Sequence, residues 1–379
     1  MKNFFKSKGF REFLRVLIAL AIGLTFGFII TLFVSETPIE AYKSFLLGPL
    51  TRLNRIGDWL EDSLTLVLVG LAMCIVFTAG QWYVGAEGQM ILGSLVSGVV
   101  VLFVPLPPAL RITLAFVVAA IVGFLWAVIP AYLKAYLNAS ELITSLMLNT
   151  IAIKAFEYFL KYYIMPEGSR TMTSARVPVE LQLPTFIPDL PFLSSIREIW
   201  MKQTSVSIIV YIAIAAVIAA YLLLYKTPFG YELRTVGSNK KFARYGGISI
   251  NRTVLLAMTV SGIFAGIAGT HLTLAIHNRL IVGMSSGMGF EGVNIATLAQ
   301  LNPLLVPIAS LLYGYMRAGA EVMERTTDVS RELVMVIQAV ILLLVTAERL
   351  MPTIQQRIAD RTEENNNNNG KIKGGTNDV

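Results

Sequence analysis

Hydrophobic residues fill most of this chain in long blocks, and the polar breaks between the blocks are short. Two blocks, "FLRVLIALAIGLTFGFIITLFV" (Phe13 to Val34) and "VSIIVYIAIAAVIAAYLLLY" (Val206 to Tyr225), supply the roughly 20 apolar residues that a helix needs to cross about 30 Å of hydrocarbon. Strands of a membrane barrel would instead show short alternating segments. The pattern predicts further spans near Leu64 to Ala79, Gln89 to Val104, Ala109 to Leu133, Leu142 to Lys161, Thr253 to Ile276, Phe290 to Leu301, Leu304 to Ala318 and Leu333 to Thr346. The expected fold is therefore an all-α polytopic membrane protein with about ten transmembrane or half-spanning helices. Runs of roughly 12 to 16 residues bounded by glycine or proline predict broken helices, whose loose backbone groups neighbouring helices must bury.

Composition agrees with this pattern. Of 379 residues 55% are hydrophobic and only 15% charged, against roughly 25% charged in a soluble domain. The first block is longer than the roughly 7 to 15 residues of a signal-peptide core and is expected to remain as an uncleaved span. Cys74, the sole cysteine, lies within an apolar run, so neither a disulfide framework nor a thiolate metal cluster is expected.

Charge gives the orientation. The N-terminal stub carries Lys2, Lys6, Lys8, Arg11 and Arg15 against Glu12, and the loop from Lys226 to Arg252 carries six basic residues against Glu232 alone. Both are expected in the cytoplasm. Ser35 to Ser63, with three basic and five acidic residues, and Lys161 to Thr204, with five and four, are expected outside. Both termini then face the cytoplasm, and the net charge of +7 reflects attraction to anionic membrane lipid rather than to nucleic acid. The expected organisation is a cytoplasmic stub over residues 1–12, a transmembrane domain over 13–350 and a polar, disordered cytoplasmic tail over 351–379. Within the domain, residues 161–204 form a proline-punctuated extracytoplasmic segment, a lid or docking platform with a short helix after Ser194 or Ser195, and residues 226–252 form the cytoplasmic loop.

No phosphate-binding G-x-x-x-x-G-K-[ST] motif and no Ser/His/Asp arrangement are legible, so the chain is not expected to be an enzyme. His271 and His277 near one span end suit satisfied or interfacial histidines better than a metal site. The candidate chemistry is polar groups at membrane depth. Glu87 and Gln89 follow the first span pair; Asn138, Ser140, Glu141, Thr144, Ser145 and Asn149 lie in "NASELITSLMLNTIA"; Glu291, Asn294, Thr297, Gln300 and Asn302 lie in "GFEGVNIATLAQLNP"; Gln338 stands alone. A carboxylate at the bilayer centre costs at least about 2.5 kcal/mol, so it faces a partner or a cavity. Glu141, Ser145 and Asn149 recur every four residues and share one helix face. These groups either brace broken helices or line a polar path, and one residue can do both. "GAEG" (Gly85 to Gly88) and "GFEG" (Gly289 to Gly292) share G-x-E-G at the start of short segments expected to run oppositely, which points to an inverted repeat.

The stretch "WYVGAEGQMILGS" resembles the "NIGxEGQ" signature of permease subunits in bacterial ATP-binding-cassette importers for nucleosides, simple sugars and branched-chain amino acids, most nearly the nucleoside-type branch. The resemblance continues in order through "SELITSLMLNTIA", "TPFGYELRTVGSNKKFARYGGISINR", "SGIFAGIAGT", "GMGFEGVNIATLAQLNPLLVPIASLLYGYMRAG" and "ELVMVIQAVILLLV". Tyr83 and Val84 stand where relatives usually have Asn-Ile, so specificity is expected to differ if that asparagine touches substrate.

The resemblance implies an inner-membrane permease that pairs with a second, shorter permease, with cytoplasmic ATP-binding subunits and with an extracytoplasmic substrate-binding protein. ATP and magnesium would sit on the ATPase partner, and this chain would hold no cofactor. Trp82, Tyr83, Glu87, Gln89, Asn149, Glu291 and Asn294 would line or brace the substrate pathway. Thr227, Pro228, Phe229, Gly230, Glu232, Leu233, Arg234 and Gly237 would form the coupling helix that carries ATPase motion into the bundle. Local chemistry agrees: Thr227 can cap a helix opened by Pro228 and ended near Gly237, and "NKKFARYGG" reads as a second short helix. The expected cargo is a nucleoside, with riboflavin or a simple sugar as alternatives. An ion-coupled secondary transporter and a non-transporting scaffold are the rival classes.

Overall fold

The computed structural model describes residues 22–33, 35–185, 206–329, 335, 336, 339 and 340. Lys43–Val322 forms one compact unit, and Met1–Tyr42 with Met323–Val379 forms another. The expected stub, the short helix after Ser194 or Ser195, most of the Leu333 to Thr346 span with Gln338, and the tail lie outside the described residues.

Among the described residues the chain is all-helical, its only β pairing being isolated bridges. In order the helices are α1 (Ile22–Phe33), α2 (Pro38–Leu47), α3 (Leu53–Thr78), α4 (Ala86–Phe103), α5 (Pro108–Leu137), α6 (Glu141–Phe159), α7 (Ile209–Lys226), α8 (Pro228–Ser238), α9 (Lys240–Tyr245), α10 (Ile250–His271), α11 (Met288–Leu298) and α12 (Val306–Thr326). Six of them, α3 to α7 and α10, are long and apolar enough to cross a membrane, two with a π-helical extension. Their ends follow from local chemistry. α5 starts at the Pro107–Pro108 pair and stops where Asn138 turns left-handed at φ 52°. Ser140 then caps α6, its hydroxyl facing the Ile143 N–H.

The structure corrects one boundary. The run expected to span Leu64 to Ala79 is a helix of 26 residues beginning at Leu53, so Glu61 and Asp62, assigned by sequence to an outside loop, belong to the bundle. Of the two short segments expected after Phe290, the first remains short, as α11 followed by a turn in which Gln300 and Leu301 are left-handed, whereas the run expected over Leu304 to Ala318 continues to Thr326 as the 21-residue α12. Residues 165–185 are irregular apart from one 3-10 turn at Val179–Leu181, as their prolines dictate.

Helix α10 sits at the centre, against α3, α4 and α5. Lipid provides little hydrophobic drive between helices, so close packing of small residues holds such a bundle. "SGIFAGIAGT" supplies it: a methyl on Gly262 would lie 2.2 Å from the Gly123 carbonyl oxygen of α5, and one on Gly269 2.1 Å from the Met90 carbonyl oxygen of α4. Outer helices carry their apolar residues outward, Val117, Ile121, Leu125 and Ile129 on α5 being exposed in one stripe. Only 22% of the apolar windows of α5 and α6 is buried, against 78% for α3 and α4, so that outer face is built to meet lipid or another subunit.

Candidate functional site

Between α3 and α4 the chain turns at Gly80, left-handed at φ 68°, and runs extended through Gln81 to Val84. An extended segment with no sheet leaves its backbone groups open, and α6 satisfies them. The Glu141 carboxylate accepts from the Trp82 N–H at 3.3 Å, the Ser145 hydroxyl from the Val84 N–H at 3.4 Å, and the Asn149 amide oxygen from the Gly88 N–H at 2.9 Å. The Asn149 amide also donates to the Val84 carbonyl at 2.9 Å. The register is geometric for the first two contacts: two extended residues advance about 6.6 Å and four helical residues about 6 Å, so Glu141 and Ser145 keep pace with Trp82 and Val84, while Asn149 reaches on to Gly88 in the first turn of α4. The polar stripe of α6 is thus a clamp on this segment. Lys134 holds the other oxygen of Glu141 at 2.6 Å.

Alternation along the segment separates the two aromatic candidates. Trp82 is 70% exposed and leans on Phe77, whereas Tyr83 is buried and its hydroxyl accepts from the Gln89 amide at 2.5 Å.

The two G-x-E-G motifs meet. Glu87, in the first turn of α4, accepts from the Gly289 N–H of α11 at 2.7 Å and from the Ser285 hydroxyl. A methyl on Gly289 would stand 2.3 Å from the Glu87 Cα, so only glycine lets the helix starts approach this closely. Glu87 therefore acts as an N-cap supplied from another helix, at the positive end of α11. Glu291 turns elsewhere, pairing with Arg317 of α12 at 2.7 Å, and Arg317 faces Asp62 at 3.6 Å. Asn294 donates to the Tyr313 hydroxyl at 3.1 Å.

Asp62, Arg317 and Tyr313 join this cluster without having been singled out by sequence; the signal for Arg317 was a lone cation inside "IASLLYGYMRAGAEV". A second group, of which the sequence singled out only His271, is buried between α3 and α10. The Glu61 carboxylate accepts from the Ser207 N–H at 2.9 Å and faces His271 at 3.3 Å, and His271 shares a 2.8 Å hydrogen bond with Thr65. His277 lies just past the π turn, with its Nε2 2.9 Å from the Met284 carbonyl oxygen. Burial holds its pKa below the ordinary imidazole value; Arg279 and Arg317 add to this, opposed by the Met284 carbonyl and Glu321. Among the described residues no group of three His, Cys, Asp or Glu could hold a metal ion.

The loop after α7 folds as its residues direct. The Thr227 hydroxyl caps α8 by accepting from the Gly230 N–H at 3.0 Å, Pro228 opens the helix, and the Asn239 side chain caps α9. Leu233, Val236 and Gly230 are buried, and Gly237 packs on the foot of α3, where an added methyl would lie 2.0 Å from the Thr78 carbonyl oxygen. The Thr253 hydroxyl of α10 donates to Glu232 at 3.2 Å, and Arg234 stacks on Tyr225 at 4.9 Å. Helix α8 is thereby fastened to α3, α7 and α10 at once.

A family model described as the permease component of branched-chain amino acid transport systems matches residues 55–346. The chain is 32% identical to a glucose ABC transporter permease of Haloferax volcanii, over 88% of this chain and 86% of the relative. It is 29% identical to a guanosine ABC transporter permease of Bacillus subtilis, over 87% and 92%, and 29% identical to a nucleoside ABC transporter permease of Lactococcus lactis, over 89% and 92%. No solved structure matches.

Proposed function

This chain belongs to the family of permease components of branched-chain amino acid transport systems, and we propose that it is the membrane subunit of an ATP-driven importer that carries a nucleoside inward by alternating access. The observation that carries the cargo is the alignment with relatives named for guanosine and nucleosides over 87% and 89% of the chain. Physical chemistry favours an uncharged solute: the buried ionisable groups Glu61 with His271, and Asp62 and Glu291 with Arg317, face one another rather than a path. A simple sugar fits the same requirement, and the glucose-named relative favours it as the second reading.

In this reading the protein folds as about ten spanning or half-spanning helices in a permease domain over residues 13–350, with the two G-x-E-G halves as an inverted repeat and both termini cytoplasmic. Trp82 offers an exposed ring face to the cargo, while Tyr83, Glu87, Gln89, Asn149, Glu291 and Asn294 brace the passage. Helix α8 receives the ATPase motion, and its attachments pass that motion to α3, α7 and α10 together. ATP and magnesium bind the ATPase partner, and this chain contributes no catalytic group. The exposed apolar face of α5 and α6 suits a second, shorter permease, and residues 161–204 suit the substrate-binding protein outside.

The test is uptake of labelled guanosine, adenosine, glucose, ribose and riboflavin in cells carrying the complete transporter, wild type against Glu232→Ala with Arg234→Ala. Guanosine or adenosine entry with the wild type and its loss in the variant are expected. Entry of glucose or ribose alone moves the assignment to the sugar reading. Uptake that survives in the variant and follows an ion gradient replaces the importer with a secondary transporter.

A further inference from the structure

Beside the coupling loop lies a cavity that the transport account does not use. It has a volume of about 620 Å³ and lies between the end of α5, helix α9 and the first turn of α10, with Gln81, Lys134, Asn138, Lys240, Lys241 and Arg244 on its wall. That is the size range of small-molecule sites, roughly 300–1,000 Å³. Four of these six residues are cations. Lys134 is neutralised by Glu141 at 2.6 Å, but Lys240, Lys241 and Arg244 have no carboxylate partner among the described residues.

Gln81 adds an independent observation. It is 1% exposed, its amide nitrogen donates to the Ala79 carbonyl at 3.0 Å, and its Oε1 accepts from nothing among the described residues. A buried carbonyl oxygen without a donor is rare, and this one belongs to a residue that lines the cavity. The wall therefore offers three free cations to an anion, and just behind it lies one unsatisfied acceptor, closed to water, that a small side-chain movement brings within reach of a hydroxyl. Arginine and lysine together suit a phosphate, whose oxygens accept several charge-assisted hydrogen bonds.

We propose that this cavity binds a phosphate ester carrying a free hydroxyl. The bound phosphate draws Lys240, Lys241 and Arg244 of α9 towards the end of α5 and the start of α10, and the Gln81 side chain turns outward to accept from the ligand hydroxyl. Because Gln81 opens the segment clamped by α6, and α9 follows directly on α8, the ligand ties the coupling loop to the bundle. Two sources carry this chemistry: the headgroup of an anionic lipid such as phosphatidylglycerol, and a soluble polyol phosphate such as glycerol 3-phosphate. The inference does not depend on the cargo.

The experiment uses the complete purified transporter in detergent. Native mass spectrometry compares retention of phosphatidylglycerol with phosphatidylcholine, and calorimetry titrates glycerol 3-phosphate and inorganic phosphate. The variants are Lys241→Gln with Arg244→Gln, Gln81→Leu, and Arg170→Gln as a charge control from the 165–185 segment. Binding is expected to fall about thirtyfold in the double variant, roughly fivefold for each cation removed, to weaken with salt, and to persist in Arg170→Gln. Gln81→Leu is expected to impair binding of glycerol 3-phosphate more than of inorganic phosphate. Selective loss of phosphatidylglycerol in the double variant assigns the lipid source; selective loss of glycerol 3-phosphate assigns the soluble one. Absence of binding, or binding undiminished in the double variant, overturns the proposal. So does a double variant that loses only its association with the ATPase, since the cations would then serve a protein surface.

Discussion

Replacing Asn149 by alanine removes both arms of one clamp. The Gly88 N–H loses its acceptor and the Val84 carbonyl loses its donor, each from a 2.9 Å bond to a side chain that is almost fully buried. Interhelical side-chain hydrogen bonds in membranes average about 0.6 kcal/mol and reach about 1.7, whereas a buried backbone group left without a partner costs about 1–3 kcal/mol. The Gly88 N–H lies in the first turn of α4, where the helix supplies no acceptor, and Val84 precedes the helix, so the second figure weighs more, and we expect a loss of about 2–3 kcal/mol. The assay is the denaturation midpoint of the purified complex in mixed micelles. A methyl on Gly88 would lie 2.8 Å from the Asn149 amide oxygen, so Gly88→Ala strains the same contact. The double variant with Asn149→Ala should then be less destabilised than the sum of the singles, by about 1 kcal/mol. A change below about 0.5 kcal/mol for Asn149→Ala, or full additivity, would refute the clamp. Loss of uptake at unchanged stability would place Asn149 on the cargo instead.

Three further outcomes follow from the same geometry. Gly237→Val drives a branched side chain against the Thr78 carbonyl and is expected to leave ATP hydrolysis by the assembled complex while reducing uptake at least about tenfold, measured as solute carried per ATP; equal coupling would detach α8 from this role. Arg317→Ala removes the cation that Glu291 and Asp62 share and should destabilise by about 3–5 kcal/mol in mixed-micelle denaturation, with Glu291→Gln added in the same chain restoring part of it; a loss under about 1 kcal/mol in the single variant would show the cluster to be solvated. His277 is held below the ordinary imidazole value, so below about pH 6.5 the unfolded chain takes up more protons than the folded one and stability falls as pH drops, levelling off once the folded imidazole also protonates; His277→Asn should flatten that part of the profile, and an unchanged slope would remove His277 as its source.

Much of this was legible because bilayer physics constrains sequence harshly. Apolar blocks predicted the long helices, and Thr227, Pro228 and Asn239 marked the two short helices of the loop through their capping chemistry. The four-residue spacing of Glu141, Ser145 and Asn149 identified a shared polar face, but periodicity says only that residues share a side, not what stands opposite. The partner proved to be an extended segment of backbone, which carries no sequence mark of its own. Glu61 and Asp62 were misplaced because charge at the edge of an apolar block reads as loop, whereas His271 and Arg317, far away in the chain, let those carboxylates enter the helix. The meeting of Glu87 with Gly289 was foreshadowed by the paired G-x-E-G motifs, yet their contact depends on the close approach of α4 and α11, which only coordinates reveal.

The proposed activity is inward carriage of an uncharged solute at the expense of ATP hydrolysed by another subunit. Its most direct test reconstitutes the chain with its partner permease, ATPase and substrate-binding protein in proteoliposomes and follows labelled guanosine, with and without ATP and with imposed proton and sodium gradients. Accumulation is expected to require ATP, the ATPase and the binding protein together, and to ignore both gradients. Guanosine accumulation by this chain alone, driven by either gradient without ATP, would contradict it.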